Sequence, residues 1–308
     1  MKVAVTGATG FVGQQLVGKL ADRGDGVVVL SRNGDRARRV FPTSAFPTVE
    51  IVDYTPKAAG SWQGAISGCD GVVNLAGAPL AEHRWTDAYK QEILESRQIG
   101  TQNIVEAIAK AENKPKVLVN ASAVGYYGTS ETETFDETSP SGDDFLARVC
   151  QAWETEARKV EEMGTRSTIL RFGIIVGPGG AIEKMLLPFR LFAGGPLGSG
   201  RQWFSWVDRE DVTDLILASL DRDDLQGVYN ATSPNPIRMD DLCHTLGDVL
   251  SRPSWLPVPD VALEMMLGEG AMVVLEGQKV LPQRTQAAGY QYRYPQLKPA
   301  LQKAVNEV

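Results

Sequence analysis

The chain has 308 residues, of which 43% are apolar and 22% are charged, and its formal net charge is −7. This composition excludes disordered and fibrous classes, and the acidic balance argues against nucleic acid or an anionic membrane as the main partner, because either needs a basic surface. Three widely spaced cysteines, Cys69, Cys150 and Cys243, predict reduced thiols, with neither a disulfide framework nor a metal site.

The opening segment MKVAVTG leaves no room for a signal peptide, and no run reaches 18 apolar residues. We therefore expect a cytoplasmic protein whose partner is a small molecule rather than a membrane or nucleic acid. The sequence gives no indication of the oligomeric state.

Short β-branched runs alternate with segments of helical period through the first half of the chain. Strands are predicted over residues 3–6, 27–30, 49–53, 71–75, 116–120 and 168–176, and helices over 11–20, 85–111 and 143–163. This alternation is typical of βαβ units, and the continuous apolar strands favour a sheet that is covered on both faces. The sequence predicts an α/β fold of Rossmann type with a doubly wound parallel sheet.

Glycine and proline become frequent after residue 176, in GPGG (177–180) and AGGPLGSG (193–200). This change predicts a dinucleotide-binding domain over 1–177 and a smaller, mainly substrate-side region over 178–308. Later strands (203–207 and 228–230) and helices (211–220 and 239–250) follow, and we expect the segments around 203–230 to return to the first domain.

A glycine-rich turn connects the first predicted strand to the first helix. Its sequence is Gly7-Ala8-Thr9-Gly10-Phe11-Val12-Gly13. Gly7 and Gly10 let the backbone approach a pyrophosphate, Gly13 allows close packing of helix against strand, and the helix N-terminus presents free N–H groups. The order of strand, turn and helix predicts dinucleotide binding, and a purely structural turn is the alternative.

The end of the second predicted strand indicates which dinucleotide binds. An acidic residue there would bind the ribose 2′-hydroxyl of NAD, but this strand ends in Ser31-Arg32. A hydroxyl and a guanidinium suit a 2′-phosphate, so the sequence predicts NADP. A solvated basic helix start is the alternative, and Asp35 fits either a ribose ligand or a helix cap.

Further motifs extend along nearly the whole chain. They are Asn74-Leu75-Ala76-Gly77, Arg84-Trp85-Thr86, Ser96-Arg97, GYYG (125–128), RFGIIVGP (171–178), LPFR (187–190) and LEGQKVLP (275–282). With these motifs the chain resembles the extended short-chain dehydrogenases/reductases, and more narrowly their atypical branch called the epimerase family proteins. The resemblance implies an NADP-binding oxidoreductase or epimerase of unknown substrate, and it assigns the tail from about 253 to 305 to a C-terminal domain of that branch.

The resemblance also implies which residues hold the cofactor. Those for the pyrophosphate are Gly7, Thr9, Gly10, Phe11 and Val12; those for the 2′-phosphate are Ser31 and Arg32; those for the adenine edge are Asp53 and Tyr54; and those for the adenosine ribose and the linker are Leu75, Ala76 and Gly77. Helix capping is an alternative for Asp53, and a tight strand exit is an alternative for Ala76 and Gly77.

The catalytic pair of the superfamily is missing. A Tyr acid/base is normally followed four residues later by a Lys that lowers its pKa, and the resemblance places Leu146 and Cys150 at these positions. Candidates for the chemistry are Tyr127, Tyr126 and Ser122 on the preceding loop, or the substrate itself. Tyr127 is the preferred one, with Arg97 as the cation near its phenol. A packed aromatic is the alternative for Tyr127, and we expect Cys150 to be a packing residue.

Arg190, Arg201 and Trp203 are candidates for the substrate side, because guanidinium groups and an aromatic wall suit a sugar, a nucleotide sugar or a small acid. The missing pair leaves a second reading of the function open. In that reading the chain is a catalytically silent NADP(H)-binding regulatory or redox-sensing module.

Overall fold

The computed structural model describes residues 1–307. Its strands are β1 (Lys2–Thr6), β2 (Gly26–Ser31), β3 (Val49–Asp53), β4 (Gly71–Asn74), β5 (Val117–Ala123), β6 (Thr134–Phe135), β7 (Arg166–Phe172), β8 (Ile174–Val176), β9 (Trp203–Phe204), β10 (Trp206–Asp208), β11 (Gly227–Ala231), β12 (Ile237–Arg238) and β13 (Lys279–Val280). Seven of them form one parallel sheet in the order β11-β7-β5-β4-β1-β2-β3. The prediction of a Rossmann-type doubly wound sheet is confirmed.

Helices cover both faces of this sheet. α1 (Phe11–Asp22) and α6 (Arg209–Asp221) pack on one face, and α3 (Asp87–Lys110) and α4 (Phe145–Arg158) on the other. The other helices of residues 1–307 are α2 (Gly34–Val40), α5 (Gly180–Arg190), α7 (Met239–Leu250), α8 (Asp260–Leu267), α9 (Met272–Leu275), α10 (Gln283–Ala287) and α11 (Leu297–Asn306). Short 3-10 turns lie at 61–66, 124–127, 159–163 and 269–271.

The alternation of side chains along each strand divides the core into two layers. Val3 and Val5 of β1 pack with Leu16 of α1 on one face of the sheet, whereas Ala4 packs with Ile104 of α3 on the other. Because successive strand residues point to opposite faces, both faces need apolar residues, which is why these strands are continuous apolar runs.

The predicted strand over 168–176 is two strands that belong to different sheets. Gly173 N–H donates to the Ala231 carbonyl at 3.1 Å, and the next N–H, of Ile174, donates to the Ser205 carbonyl at 2.8 Å. A Cβ at Gly173 would lie 2.6 Å from that Ser205 oxygen. The chain therefore leaves the main sheet at this glycine, and β8 pairs with β10 instead.

The predicted strand over 203–207 is also divided. Its first part, β9, pairs with β12, its second part, β10, pairs with β8, and neither joins the main sheet. The strand β11 does join it, as the edge strand beside β7. Of the segments around 203–230, only β11 thus extends the main sheet.

A third apolar cluster lies beyond the main sheet. Trp206 is fully buried there among side chains of α5, α7 and α11. The last helix is also held by charge, because Lys303 Nζ lies 3.0 Å from the buried Asp208 carboxylate. These contacts fix the C-terminal residues against the carboxyl side of the sheet, where ligands of open α/β sheets bind.

Candidate cofactor and active site

The strand order reverses between β1 and β4, and the loops that follow these two strands contact each other. Gly7 has φ +67°, and a Cβ there would lie 2.8 Å from the Leu75 carbonyl carbon. A Cβ at Gly13 would lie 2.3 Å from the Gly7 carbonyl oxygen. Thr6 Oγ1 accepts the N–H groups of Leu75 and Ala76 at 3.1 and 3.2 Å. Glycine is thus required at 7 and 13 by close backbone packing.

Two cavities adjoin at this glycine turn, and Gly7, Gly10 and Leu75 line both. The Arg32 cavity, of about 370 Å³, lies over the ends of β1 and β2. The Arg97 cavity, of about 430 Å³, lies over the ends of β5 and β7. Predicted cofactor residues that line the first are Gly7, Thr9, Gly10, Ser31, Arg32, Tyr54, Leu75, Ala76 and Gly77, and those that line the second are Gly7, Gly10, Phe11, Val12, Gly13 and Leu75.

The N-terminus of α1 lies where the cavities meet. Gly10 is its N-cap and provides no side-chain cap, and the first intrahelical bond runs from Gln14 N–H to the Gly10 carbonyl at 3.0 Å. The backbone N–H groups of the first turn therefore have no acceptor within the helix. Free N–H groups and the positive end of the helix dipole suit a pyrophosphate, so the turn fits the phosphates of a dinucleotide.

The far end of the Arg32 cavity is basic. Arg32 and Arg36 line it, and no carboxylate in residues 1–307 lies within 4.0 Å of either guanidinium. Ser31 Oγ donates to the Asn33 carbonyl at 3.1 Å and accepts the Asn33 N–H at 3.2 Å. Asn33, and not Asp35, caps α2, because its side chain accepts the Arg36 N–H at 2.9 Å. Unpaired guanidinium groups at this end suit a ribose 2′-phosphate.

Asp53 does not occupy the place expected for it. Its Oδ1 accepts the Gly34 N–H at 2.8 Å, its side chain is 68% exposed, and it does not line the Arg32 cavity. The geometry supports the alternative role in capping α2, and contact of Asp53 with the adenine edge stays a prediction. Its neighbour Tyr54 does line the cavity, and burial raises the pKa of the Tyr54 phenol to about 12.

Ser122 lines the Arg97 cavity, but its proton is already used. Its Oγ donates to Glu154 Oε1 at 2.8 Å, and Arg171 holds the same carboxylate through contacts of 2.7 and 2.8 Å. Burial lowers the pKa of the Arg171 guanidinium, but the hydrogen bonds that it donates to Glu154, together with the charge of that carboxylate, outweigh burial and raise it. Because the Ser122 hydroxyl directs its proton to this carboxylate, it can offer a ligand only an acceptor.

Tyr127 points into the protein and not into the cavity. Its hydroxyl donates to Asn230 Oδ1 at 2.7 Å and accepts from Arg171 Nη1 at 2.9 Å, while its ring stacks on Phe135. Only 3% of the residue is exposed, and burial raises the pKa of the phenol to about 12. The expected pairing of Tyr127 with Arg97 is wrong, because the cation beside this phenol is Arg171. The geometry does not support Tyr127 as the acid/base.

Arg97 instead extends from α3 into the cavity that carries its name. Its guanidinium lies over the ring of Trp153, 5.1 Å from the centroid, and donates to the carbonyls of Ile93 and Ala78 at 3.1 Å each. Burial lowers the pKa of Arg97. No carboxylate of the described chain lies within 4.0 Å of it. The sequence therefore identified the residue but not its surroundings.

The helix α4 presents apolar side chains where the superfamily has its Tyr and Lys. Leu146, Cys150 and Trp153 line the Arg97 cavity. The Cys150 thiol donates weakly to the Ala123 carbonyl at 3.7 Å, and burial raises its pKa to about 11. A thiol of this pKa is a poor nucleophile, so the geometry favours the packing role that the sequence indicated.

Two of the three substrate-side candidates lie outside the cavity. Arg190 and Arg201 are exposed and line neither cavity, and Arg201 lies 3.8 Å from Glu131. The structure therefore does not bring these two side chains to either cavity. Trp203 does line the Arg97 cavity, and the guanidinium of Arg238 lies 3.7 Å from the centroid of its ring.

A segment that the sequence did not assign completes the cavity. Residues 272–278 contribute Met272, Val273, Glu276, Gly277 and Gln278 to its lining. A Cβ at Gly277 would lie 2.0 Å from the Trp203 carbonyl oxygen, so this segment crosses the β9 backbone closely. The motif LEGQKVLP could have indicated that this segment lines the site. Its neighbours in space, however, lie more than 70 residues away in sequence: the Ser205 Oγ, for example, donates to the Gln278 carbonyl.

Within residues 1–307 there is no group of three or more His, Cys, Asp or Glu residues arranged to hold a metal ion. The same residues include no helix that is long and apolar enough to cross a membrane.

Comparison with known proteins identifies the family. The sequence pattern of the NAD dependent epimerase/dehydratase family matches residues 3–232. The chain belongs to this family. A second pattern, a domain of unknown function called DUF1731, matches residues 258–304 of this epimerase/dehydratase family member.

Its relatives in this family cover nearly its whole length. It is 48% identical over 304 residues to "Epimerase family protein SDR39U1 homolog, chloroplastic" of Arabidopsis thaliana. The matched region covers 98% of this chain and 86% of that protein. It is 39% identical over 306 residues to epimerase family protein YfhF of Bacillus subtilis, with 99% and 98% covered. The crystal structure of human epimerase family protein SDR39U1 with NADPH superposes with a TM-score of 0.89 at 36% identity and covers both chains completely.

Proposed function

We propose that this protein binds NADP(H) across the Arg32 and Arg97 cavities and acts as an oxidoreductase or epimerase on a small molecule in the second. The observation that carries the proposal is the junction of the two cavities at the glycine turn, with free guanidinium groups at one end. The human relative that was crystallised with NADPH supports it.

Different residues would bind the different parts of the cofactor. Arg32, with Ser31 beside it, would hold the 2′-phosphate, and the first turn of α1 would hold the pyrophosphate. Leu75, Ala76 and Gly77 would contact the adenosine ribose and the linker. In this assignment residues 1–177 bind the cofactor. Residues 178–308 mainly form the substrate side, including the segment 272–278 that lines the Arg97 cavity.

When bound, the nicotinamide of NADPH would supply a hydride, and that of NADP⁺ would accept one. The side chains of this chain would orient the reacting molecule and exclude water from it. Ser122 can accept a hydrogen bond from a substrate hydroxyl, because its own proton is directed to Glu154 at 2.8 Å. With Leu146 and Cys150 on α4, the proton would come from solvent or from the substrate and not from this helix.

A second candidate function has its own support. The fixed Ser122 proton, the inward Tyr127 and the apolar face of α4 all favour a protein that binds NADP(H) without turnover, as a regulatory or redox-sensing module. Such a module needs the glycine turn and Arg32 but no acid/base.

Two measurements separate these candidates. Binding of NADPH is measured by fluorescence titration. Turnover is measured by the loss of NADPH absorbance with aldehydes and ketones and, because epimerisation consumes no net cofactor, by NMR of nucleotide sugars incubated with the protein and NADP⁺. Binding with turnover supports the enzyme, and binding without turnover across the panel supports the module. Absence of NADPH binding would contradict both.

A further inference from the structure

Arg97 is a partly buried cation, and no carboxylate of residues 1–307 pairs with it. Two of its five N–H groups donate to backbone carbonyls, and the remaining three have no acceptor in residues 1–307. The titratable groups that act on it are the Cys150 thiol and the Tyr89 phenol, which are both neutral near pH 7. A guanidinium that is partly shielded from water is stabilised by a nearby anion, so a ligand that supplies the anion is favoured here.

The other charges that line the Arg97 cavity are acidic and have other partners. Asp144 caps α4 by accepting the Ala147 N–H at 2.8 Å, and Glu276 accepts from Thr129 Oγ1 at 2.7 Å. Arg97 is the one cation in the lining given by the described residues. A single guanidinium with three free N–H groups can bind a carboxylate through two parallel hydrogen bonds, and its one charge balances that of a monoanion.

The walls around Arg97 are apolar. The lining includes Leu80, Leu146, Val149, Trp153, Phe172 and Val273. A carbohydrate would leave most of its hydroxyls without partners against such walls, whereas a hydrocarbon or aromatic body would bury favourably. The cavity thus combines one charged contact with an apolar surface.

We propose that Arg97 binds the carboxylate of a substrate whose body is apolar, so that this protein acts on a monocarboxylic acid that carries a carbonyl or hydroxyl group. The inference rests on the proposed NADP(H)-binding function and adds the class of substrate to it. Arg97 is in this view a binding residue, held in place by stacking on Trp153.

The test compares two ketones that differ in one group. 4-Phenyl-2-oxobutanoate carries a carboxylate where 4-phenyl-2-butanone carries a methyl group. Binding of each ketone to the protein loaded with NADP⁺ is measured by calorimetry at pH 7. The oxidised cofactor is used because it cannot donate a hydride to either ketone. We expect the acid to bind about 10- to 100-fold more tightly than the neutral ketone, the usual scale for a charge-assisted contact.

Three variants assign the preference to a residue. Arg97→Met keeps an alkyl chain against Trp153 and should reduce the preference for the acid to about twofold or less, whereas Arg97→Lys should keep part of it. Arg190→Met removes an exposed arginine outside the cavity and should change nothing. The affinity for NADP⁺, measured separately on every variant, reports on folding and on the cofactor site.

The outcomes separate the inference from the proposed function. Wild-type protein that fails to bind NADP⁺ contradicts the proposed function. Wild-type protein that binds NADP⁺ but binds both ketones equally, or binds neither, overturns the inference alone. The inference is also overturned if Arg97→Met weakens NADP⁺ binding and leaves the preference for the acid intact, because Arg97 would then be a cofactor ligand.

Discussion

Arg32 and Arg38 are neighbouring arginines with different surroundings. Arg32 lines the Arg32 cavity without a carboxylate partner, whereas Arg38 lies outside it, 3.8 Å from Asp53. Arg32→Ala should therefore weaken NADPH binding about 10- to 100-fold and leave NADH binding within about twofold, because only NADPH has the 2′-phosphate. Fluorescence titration of both reduced cofactors measures this. Arg38→Ala is the control, and an equal effect of the two substitutions would contradict the assignment.

Tyr127 contributes to stability through its hydroxyl. Removal of the hydroxyl in Tyr127→Phe leaves Asn230 Oδ1 and one Arg171 N–H buried without this partner. We expect the free energy of unfolding in urea to fall by about 1–3 kcal/mol, with NADPH affinity unchanged. Tyr126→Phe is the control, since its ring lies under Arg171 but its hydroxyl has no hydrogen bond in residues 1–307. A Tyr127→Phe protein of wild-type stability that lost all turnover would instead restore the acid/base hypothesis.

The sequence predicted the glycine turn well and the surroundings of Tyr127 poorly, for one physical reason. The constraint on Gly13 arises from Gly7 and Ala8, only a few positions away, whereas a Cβ at Gly7 would meet the distant residues Leu75 and Ala76. The partners of the Tyr127 hydroxyl lie 44 and 103 residues away in sequence. A local pattern carries no information on contacts at such separations, so the phenol was expected to face the ligand.

The helix α4 is joined to the sheet by a buried ion pair. Glu154 on α4 and Arg171 on β7 are both less than 5% exposed in their side chains. Glu154→Gln leaves the guanidinium uncompensated and should lower the free energy of unfolding by about 3–5 kcal/mol. The double variant Glu154→Gln, Arg171→Met removes the unpaired charge and should recover part of this loss. Urea denaturation measures both, and a double variant as unstable as the sum of the single ones would contradict the role of the charge.

The elements themselves were predictable where the pattern is local. The strand Val49–Asp53 and the helix Met239–Leu250 have the predicted bounds, and α1 extends only two residues beyond its prediction. The division at Gly173 was missed, because a continuous apolar run carries no mark of its change of partner. That change depends on Ser205, more than 30 residues further along the chain.

Stability of the whole molecule should fall at alkaline pH. Burial raises the pKa of Tyr54 and of Tyr127 to about 12 each, from an ordinary value of 10, and also raises the pKa of Tyr290 and Tyr292. Above about pH 10 the unfolded chain loses these protons while the folded protein keeps them, so the unfolded state is favoured as the pH rises. Each tyrosine contributes a slope of up to about 1.4 kcal/mol per pH unit between about pH 10 and 12.

This dependence is measured by urea denaturation between pH 8 and 11. The stability should be retained below about pH 10 and decline above it. The double variant Tyr54→Phe, Tyr127→Phe should decline less steeply than wild type, although the remaining buried tyrosines keep it from becoming flat. A double variant with an unchanged slope would show that these two phenols do not hold their protons as the structure implies.

The central claim is that the glycine turn where the two cavities adjoin holds the phosphates of NADPH, and a calorimetric titration of three proteins with NADPH tests it most directly. The matched substitutions are Gly10→Val, which places a side chain where the cavities meet, and Gly18→Val on the same helix, where a Cβ has open space around it. Wild type and Gly18→Val should bind NADPH with similar affinity, and folded Gly10→Val should not bind it detectably. Wild-type binding that survives in Gly10→Val, or no binding in wild type, would contradict the account.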